Sequence, residues 1–114
     1  MQVETSREDD IWMVVIKGHL AVEPGADLDA KLDTIRNTKE SRVLVDVSEV
    51  DSIDSTGVGL LLNICTAIAR IPNGRFVLVG ANSRVRHVLH ATRLNEVISL
   101  ADDLSSGQEI LRAH

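Results

Sequence analysis

The chain is short of aromatic residues and of positive charge. Trp12 and Phe76 are its only aromatic residues, it has no tyrosine, and its formal net charge is -5 at pH 7. Proteins that bind single-stranded nucleic acid stack bases on aromatic rings, and nucleic-acid binders in general neutralise phosphates with lysine and arginine. The composition therefore argues against a nucleic-acid-binding protein, and we expect no nucleic-acid partner.

Cysteine is almost absent as well. Cys65 is the only one, which excludes a disulfide framework and a cysteine-based zinc site and suits a reducing compartment. The amino terminus lacks the basic start and the apolar core of a signal peptide. The longest apolar stretch, residues 58–71, is shorter than the about 20 residues that span a bilayer. We therefore expect a soluble, cytoplasmic protein with no membrane partner.

Strand-like and helix-like segments alternate along the chain, and no linker or repeat divides it, so we expect residues 1–114 to form one domain. Apolar runs rich in β-branched residues predict strands at 2–5, 11–17, 43–47, 76–79 and 97–100. Apolar residues at helical spacing predict helices over 24–36, 58–71, 83–89 and 102–111. The alternation predicts an α/β fold, and the short first connection predicts a hairpin that makes the sheet mixed.

Several boundaries in this pattern depend on single residues. Gly18 is predicted to end the second strand, and residues 48–54 are predicted to form a turn after the third. Ser55 and Ser83 are predicted to cap the helices that follow them, because a serine hydroxyl can accept a hydrogen bond from the first free N–H groups of a helix.

The most informative segment is residues 46–62, DVSEVDSIDSTGVGLLL, in which a buried strand leads through a turn into a helix. Ser55 and Thr56 lie at the predicted helix start, where unpaired backbone N–H groups converge and can bind an anion. The helix dipole would favour a phosphate there by a few tenths to about 1 kcal/mol. Gly57 and Gly59 would leave room for another backbone or a kinase to approach.

Structural interpretations of the same residues stay open at this point. A serine or threonine before a helix is most often only a cap, and the glycines could serve close packing against the sheet. The predicted helix also has an unusually broad apolar arc, which either packs under neighbouring elements or is exposed for a partner. That arc consists of Val58, Leu60, Leu61, Leu62, Ile64, Cys65, Ala67, Ile68, Ala69 and Ile71.

The sequence gives little support for a catalytic or metal site. A Ser-His-Asp hydrolase is disfavoured because no Gly-x-Ser-x-Gly elbow is present and His19, His87 and His90 are distant from Ser55 in sequence. The pair His87 and His90 could share a helix face, but two histidines without a third ligand make a poor zinc site. We therefore predict no catalytic residues and no metal.

One motif resembles the signature of a known family. A seven-residue segment is similar to the motif of STAS-domain anti-sigma factor antagonists: Ile53-Asp54-Ser55-Thr56-Gly57-Val58-Gly59, preceded by VLVDV at residues 43–47. Residues 18–20, Gly-His-Leu, resemble the family's early Gly-x-Leu element, and residues 77–80 and 83–98 resemble its later elements. The resemblance covers nearly the whole chain and implies the STAS fold, a small mixed sheet with helices packed mainly on one face.

The resemblance also implies a function without catalysis. The protein would bind an anti-sigma factor serine kinase while Ser55 is unphosphorylated and thereby release a sigma factor. Ser55 would be the phosphoacceptor, with Thr56 as the second choice, and a serine phosphatase would reset the switch. ATP would enter only as the phosphoryl donor of the kinase, so no cofactor is expected, and we expect a monomer or a weak dimer.

The same resemblance assigns the partner contacts. In the family an acidic residue often follows Gly-x-Leu, whereas Ala21 stands there in this chain and Glu23 is the next acid. The residues predicted to bind the partner are Asp54, Ser55, Thr56, Gly57, Val58, Gly59, Leu60 and Glu23.

Phosphorylation is expected to block this interface rather than to melt the fold, because a phosphoserine adds about -1.5 to -2 charge. The alternative function is a STAS scaffold or ligand-sensing module of a stress-signalling or lipid-transport complex, in which Ser55 is not phosphorylated.

Overall fold

The computed structural model describes residues 2–21 and 42–112. The strands are β1 Gln2–Glu8, β2 Ile11–Leu20, β3 Arg42–Ile53, β4 Arg75–Val79 and β5 Ser99–Ala101. The helices of the described ranges are α1 Ser55–Ala69, α2 Ser83–Ala91 and α3 Leu104–Arg112, with a 3₁₀ turn at Leu94–Glu96. The helix predicted over residues 24–36 and the predicted contact residue Glu23 lie outside the described residues.

The described strands form one sheet in the order β1-β2-β3-β4-β5. A hairpin joins β1 to β2 in antiparallel pairing, and the remaining neighbours are parallel. Asp9 turns the hairpin with φ of 55°, a left-handed conformation that aspartate adopts more readily than most residues. The predicted mixed sheet and α/β fold are confirmed.

Side chains alternate between the two faces of the sheet, and each face has its own apolar core. On one face, Val14, Val45 and Leu78 pack with the buried residues of α1 and α2. On the opposite face, Leu44 and Val77 pack with Leu111 of α3. Two of the three described helices therefore cover the first face. This agrees with helices packed mainly on one side.

Two strands run further than the sequence pattern predicts. The second does not end at Gly18: the register shifts there, φ is 88°, and pairing resumes at His19↔Ser52 and Leu20↔Ile53. Likewise, the predicted turn over residues 48–54 is wrong, because β3 continues to Ile53. The polar residues of that stretch face solvent while Val50 and Ile53 are buried. The prediction failed because a strand with one solvent-facing side can contain as many polar residues as a turn.

The second helix is capped by Asn82 rather than by the predicted Ser83. The side-chain oxygen of Asn82 accepts the N–H of Val85 at 2.9 Å. Its amide nitrogen donates to the carbonyl oxygens of Val50 at 2.9 Å and Asp51 at 3.2 Å. Asn82 therefore ties the end of β3 to the start of α2, a dual task that the single hydroxyl of a serine could not perform in this geometry.

Smaller differences concern the end of the chain. The last strand is Ser99–Ala101 rather than residues 97–100, because the N–H groups of Val97 and Ile98 donate to the carbonyl oxygen of Leu94 in the turn before it. The predicted start of the last helix at Asp102 or Asp103 is confirmed, since Oδ1 of Asp103 accepts the N–H of Ser106 at 2.8 Å. Within the described ranges, no helix combines the length and the apolar character that crossing a membrane requires.

Candidate functional site

The candidate site is the junction at which β3 passes into α1. Asp54 is the N-cap of the helix: its backbone is extended, and its Oδ1 accepts the N–H groups of Thr56 at 2.9 Å and Gly57 at 3.1 Å. The hydroxyl of Thr56 donates to the same oxygen at 2.5 Å. The prediction that Ser55 caps the helix is therefore wrong, because a carboxylate one residue earlier already satisfies the free N–H groups.

This arrangement leaves Ser55 as the first helical residue with an exposed side chain. Its hydroxyl has no hydrogen-bond partner among the described residues. The pKa of the Asp54 carboxyl is lowered, because the Thr56 hydroxyl and the N–H of Gly57 donate hydrogen bonds to it and His19 lies nearby. Within residues 2–21 and 42–112, the junction thus presents a Ser55 hydroxyl without a hydrogen-bond partner directly after an aspartate that is ionised at neutral pH.

His19 belongs to the same site, although in sequence it is distant from Ser55. The parallel register of β2 and β3 places it beside Ser52, and its Nδ1 lies 2.7 Å from the Ser52 hydroxyl. Its Nε2 lies 3.7 Å from Oδ2 of Asp54. The sequence contained one clue, a polar residue within the Gly-x-Leu element, but the register that makes it a neighbour could not be obtained from spacing.

Ser52, His19 and Asp54 are the residue types of a hydrolase triad, but their arrangement differs from one. In a triad the aspartate is buried and orients the histidine through Nδ1, while Nε2 faces the serine. Here the nitrogens are exchanged, the side chains of His19 and Asp54 are 54% and 45% exposed, and the aspartate caps a helix. The geometry favours a structural bridge over an activated nucleophile.

The two glycines of the motif have different surroundings. A Cβ on Gly57 would lie 2.0 Å from the carbonyl oxygen of Leu20 and 2.9 Å from Cγ1 of Ile53. A Cβ on Gly59 would meet nothing within 4 Å. Gly57 therefore allows α1 to press against the end of β2, whereas only Gly59 leaves open space for a partner as predicted for both.

Burial divides the residues predicted to contact a partner. Asp54, Ser55 and Thr56 are exposed, and Val58 and Gly59 are half-buried. Gly57 and Leu60 are buried, so neither the backbone of Gly57 nor the side chain of Leu60 is at the surface. In the described part of the chain, no group of three histidine, cysteine or acidic residues could hold a metal ion.

The broad apolar arc of α1 is mostly explained by packing. Leu60, Leu61, Ile64 and Ile68 are buried under the sheet face. Leu62, which the sequence pattern includes in the arc, is instead 42% exposed. The exposed stripe that starts at Ser55 consists of the exposed residues Ser55, Leu62, Asn63 and Thr66, with the half-buried Gly59 among them.

Comparison with known proteins gives one consistent family. The family model described as the STAS domain matches residues 2–107. A Thermotoga maritima protein named as an anti-sigma factor antagonist is 31% identical over 106 residues, which cover 91% of this chain and 92% of the relative. An anti-sigma-B factor antagonist of Staphylococcus epidermidis is 26% identical and covers 86% of this chain, with 90% of the relative matched.

A solved structure gives the same result. The crystal structure of an anti-sigma factor antagonist from Thermotoga maritima superposes with a TM-score of 0.85 at 29% sequence identity. The superposition covers 96% of this chain and 94% of that one. The fold is therefore shared over nearly the full length.

Gly57→Ala is expected to lower the free energy of unfolding by about 3 kcal/mol, the upper end of the cost of overpacking. The added methyl group would have to displace the Leu20 carbonyl oxygen, which is backbone and cannot rotate away. Gly59→Ala is the matched control, and it should raise stability by about 0.5–1 kcal/mol because alanine is the better helix former. Urea unfolding measures both, and equal effects of the two substitutions would contradict the close approach.

Asp54→Ala is expected to lose stability in a pH-dependent manner. Because folding lowers the pKa of this carboxyl from its ordinary value of 3.8, its stabilising contribution is complete above that value. The contribution disappears as the pH falls through the lower folded value. Urea unfolding across a pH series should therefore show a constant difference between wild type and Asp54→Ala down to about pH 5 and a shrinking one below it.

The control for this titration is Asp54→Asn, which keeps a capping oxygen but cannot ionise. The difference in unfolding free energy between the Asn and Ala variants should stay constant across the pH series. A wild-type advantage over Asp54→Ala that does not change through the acid range would show that the ionised carboxylate is not what stabilises the helix start.

Proposed function

The chain belongs to the STAS-domain family of anti-sigma factor antagonists, and on that premise we propose that it is a phosphorylation-controlled partner switch. Without phosphate it binds an anti-sigma factor kinase and so frees a sigma factor. Phosphorylation of Ser55 ends the binding, a serine phosphatase restores it, and the cycle runs in the cytoplasm. The observation that carries the proposal is the exposed Ser55 hydroxyl, which Asp54 relieves of the capping role.

The phosphoryl transfer requires only an accessible hydroxyl from the chain itself. The kinase brings ATP, the Ser55 oxygen attacks the terminal phosphorus, its proton passes to a base of the kinase, and ADP leaves. The new phosphoserine sits at the start of α1, where the positive end of the helix dipole faces it. The site can therefore hold the modification without unfolding.

The same phosphate is unfavourable at an interface. It adds about -1.5 to -2 charge next to the ionised Asp54. Asp51, which is exposed near the end of β3, adds further negative charge. A partner that packs on the helix start would have to desolvate all of these groups, and that cost exceeds what a surface contact returns. Phosphorylation thus acts on the complex rather than on the fold.

The exposed stripe of α1 supplies the docking surface in this proposal. Leu62 lies in its middle, seven residues after Ser55, so that one helix face carries both the phosphoacceptor and an apolar anchor. Gly59 lies between them and leaves the backbone open to close approach. A partner seated on this face would cover Ser55, which makes binding sensitive to its modification.

The central test is intact-mass spectrometry after incubation with ATP and an anti-sigma factor kinase that binds the chain. The wild type should gain one phosphoryl group, Ser55→Ala should gain none, and Thr56→Ala should still gain one. If a kinase that binds tightly leaves the wild type unmodified, the phosphorylation switch is wrong and the scaffold function is favoured. A phosphoryl group that persists in Ser55→Ala would move the acceptor to Thr56.

Leu62→Ala is expected to weaken binding of the unphosphorylated chain to the kinase by about tenfold or more, since buried apolar anchors at the centre of an interface dominate affinity. Leu104→Ala is the matched control, because Leu104 is 41% exposed, close to the 42% of Leu62, but belongs to α3. Calorimetric titration measures both variants. Similar losses in the two would place the interface elsewhere.

A further inference from the structure

The carboxylate of Asp54 uses its two oxygens for different contacts. Oδ1 takes all three capping hydrogen bonds, two from Thr56 and one from Gly57. Oδ2 faces the imidazole of His19, whose Nε2 is 3.7 Å away. The contact with His19 therefore adds a restraint on the second oxygen to the three hydrogen bonds that hold the first.

His19 is itself held from both ends. Its Nδ1 is 2.7 Å from the hydroxyl of Ser52 on the neighbouring strand, and the register pairs the two residues directly. The ring therefore spans from the last residues of β3 to the cap of α1. Ser55 follows the cap immediately, so the bridge ends one residue from the hydroxyl that the kinase must reach.

The chemistry of Ser52 lets the bridge persist in both charge states of the ring. A hydroxyl can donate or accept a hydrogen bond. With a neutral ring that carries its proton on Nε2, Ser52 donates to Nδ1 and the Nε2–H faces Asp54. With a protonated ring, Nδ1–H donates to Ser52 and Nε2–H still faces Asp54. In either state the N–H points to the carboxylate, which is the favourable orientation.

In the part of the chain that the structure describes, the lysine of the same strand is engaged away from this contact. Lys17, on the same strand, lies 3.7 Å from Glu4 and 3.5 Å from Glu49. Glu49 is therefore already paired on the adjacent strand. Asp54 is the acidic group to which the free end of His19 is directed.

We propose that His19 is a positioning residue for phosphorylation of Ser55, which acts by fixing the carboxylate of Asp54 and thereby the first turn of α1. The role rests on the proposed function, since a positioned hydroxyl matters only if it is a phosphoacceptor. Misplacing a reacting atom by about 1 Å can cost on the order of a hundredfold in rate. With His19 in place, the carboxylate of Asp54 is contacted at both oxygens rather than at Oδ1 alone.

Two substitutions separate the two ends of the bridge. The amide nitrogen of a glutamine reaches about as far as Nε2, and that of an asparagine about as far as Nδ1. His19→Gln should therefore keep the contact with Asp54, whereas His19→Asn should keep only the contact with Ser52. Because the side chain of His19 is 54% exposed, all variants should fold, and far-UV circular dichroism checks this directly.

The first measurement needs no kinase: NMR hydrogen exchange of the two capping amides, Thr56 N–H and Gly57 N–H. His19→Ala and His19→Asn should speed both by roughly three- to tenfold, the factor expected for one surface hydrogen bond or ion pair. His19→Gln should stay within about twofold of wild type. His87→Ala, which removes an exposed histidine of α2, should change neither.

The second measurement is the kinetics of phosphorylation. His19→Ala and His19→Asn should lower kcat by roughly tenfold or more with KM nearly unchanged, because positioning acts in the transition state rather than on binding. His19→Gln should restore kcat. A raised KM with unchanged kcat would make His19 a docking contact and overturn the proposal.

The two measurements fail separately. Unchanged exchange of both capping amides in His19→Ala, or rescue by Asn as good as by Gln, overturns the positioning role whatever the kinase does. If exchange responds as expected but no phosphoryl group reaches wild-type Ser55, the bridge is real and the proposed function is wrong, and the phosphorylation role of His19 falls with it.

Discussion

The carbonyl oxygen of Leu20 lies 2.0 Å from the point at which a Cβ on residue 57 would stand, and much of the site follows from this close approach. The Asp54 N–H donates to the same carbonyl oxygen at 3.3 Å, so the start of α1 packs directly on the end of β2. Because the contact on the β2 side is made by backbone atoms, it cannot move aside as a side chain could. The contact joins the segment that contains Gly18-His19-Leu20 to the Asp-Ser-Thr-Gly segment through the backbone.

At the helix start, the structural role and the proposed functional role belong to two neighbouring residues. Asp54 takes the structural task, through an oxygen that accepts three hydrogen bonds. Ser55 is left with an exposed hydroxyl at the positive end of a helix dipole. Had Ser55 been the cap, its oxygen would have been engaged with backbone N–H groups, and a kinase would have had to break the helix start before reaching it.

The fold class could be predicted from the sequence because α/β alternation depends on apolar periodicity, which is a local property. The end of β3 could not, since Ser48, Glu49 and Asp51 look like turn residues until the neighbouring strand shows that Val50 and Ile53 are buried. For the candidate site, the motif that contains Ser55 could be recognised from the sequence.

The identity of the cap and the place of His19 were not visible in the sequence. Serine and aspartate are both good caps, so choosing between Ser55 and Asp54 requires knowing where the helix begins. The neighbours of His19 depend on the pairing of β2 with β3 across a register shift. Interactions between distant segments decided both features, and a single sequence records such interactions only indirectly.

Magnitudes decide how a phosphate at Ser55 can act. Leu60, Leu61, Ile64 and Ile68 anchor α1 to the sheet, and each buried side chain of this size contributes about 1.5–3 kcal/mol. The interaction of one added charge with a helix terminus amounts to about 0.3–1 kcal/mol and is here favourable in sign. Repulsion from the ionised Asp54 opposes this attraction, and both effects are small beside the burial of the four anchors, so the modification does not melt the helix. Phosphorylation therefore acts on the affinity for a partner, because a partner that covers the surface of α1 excludes water from the phosphate.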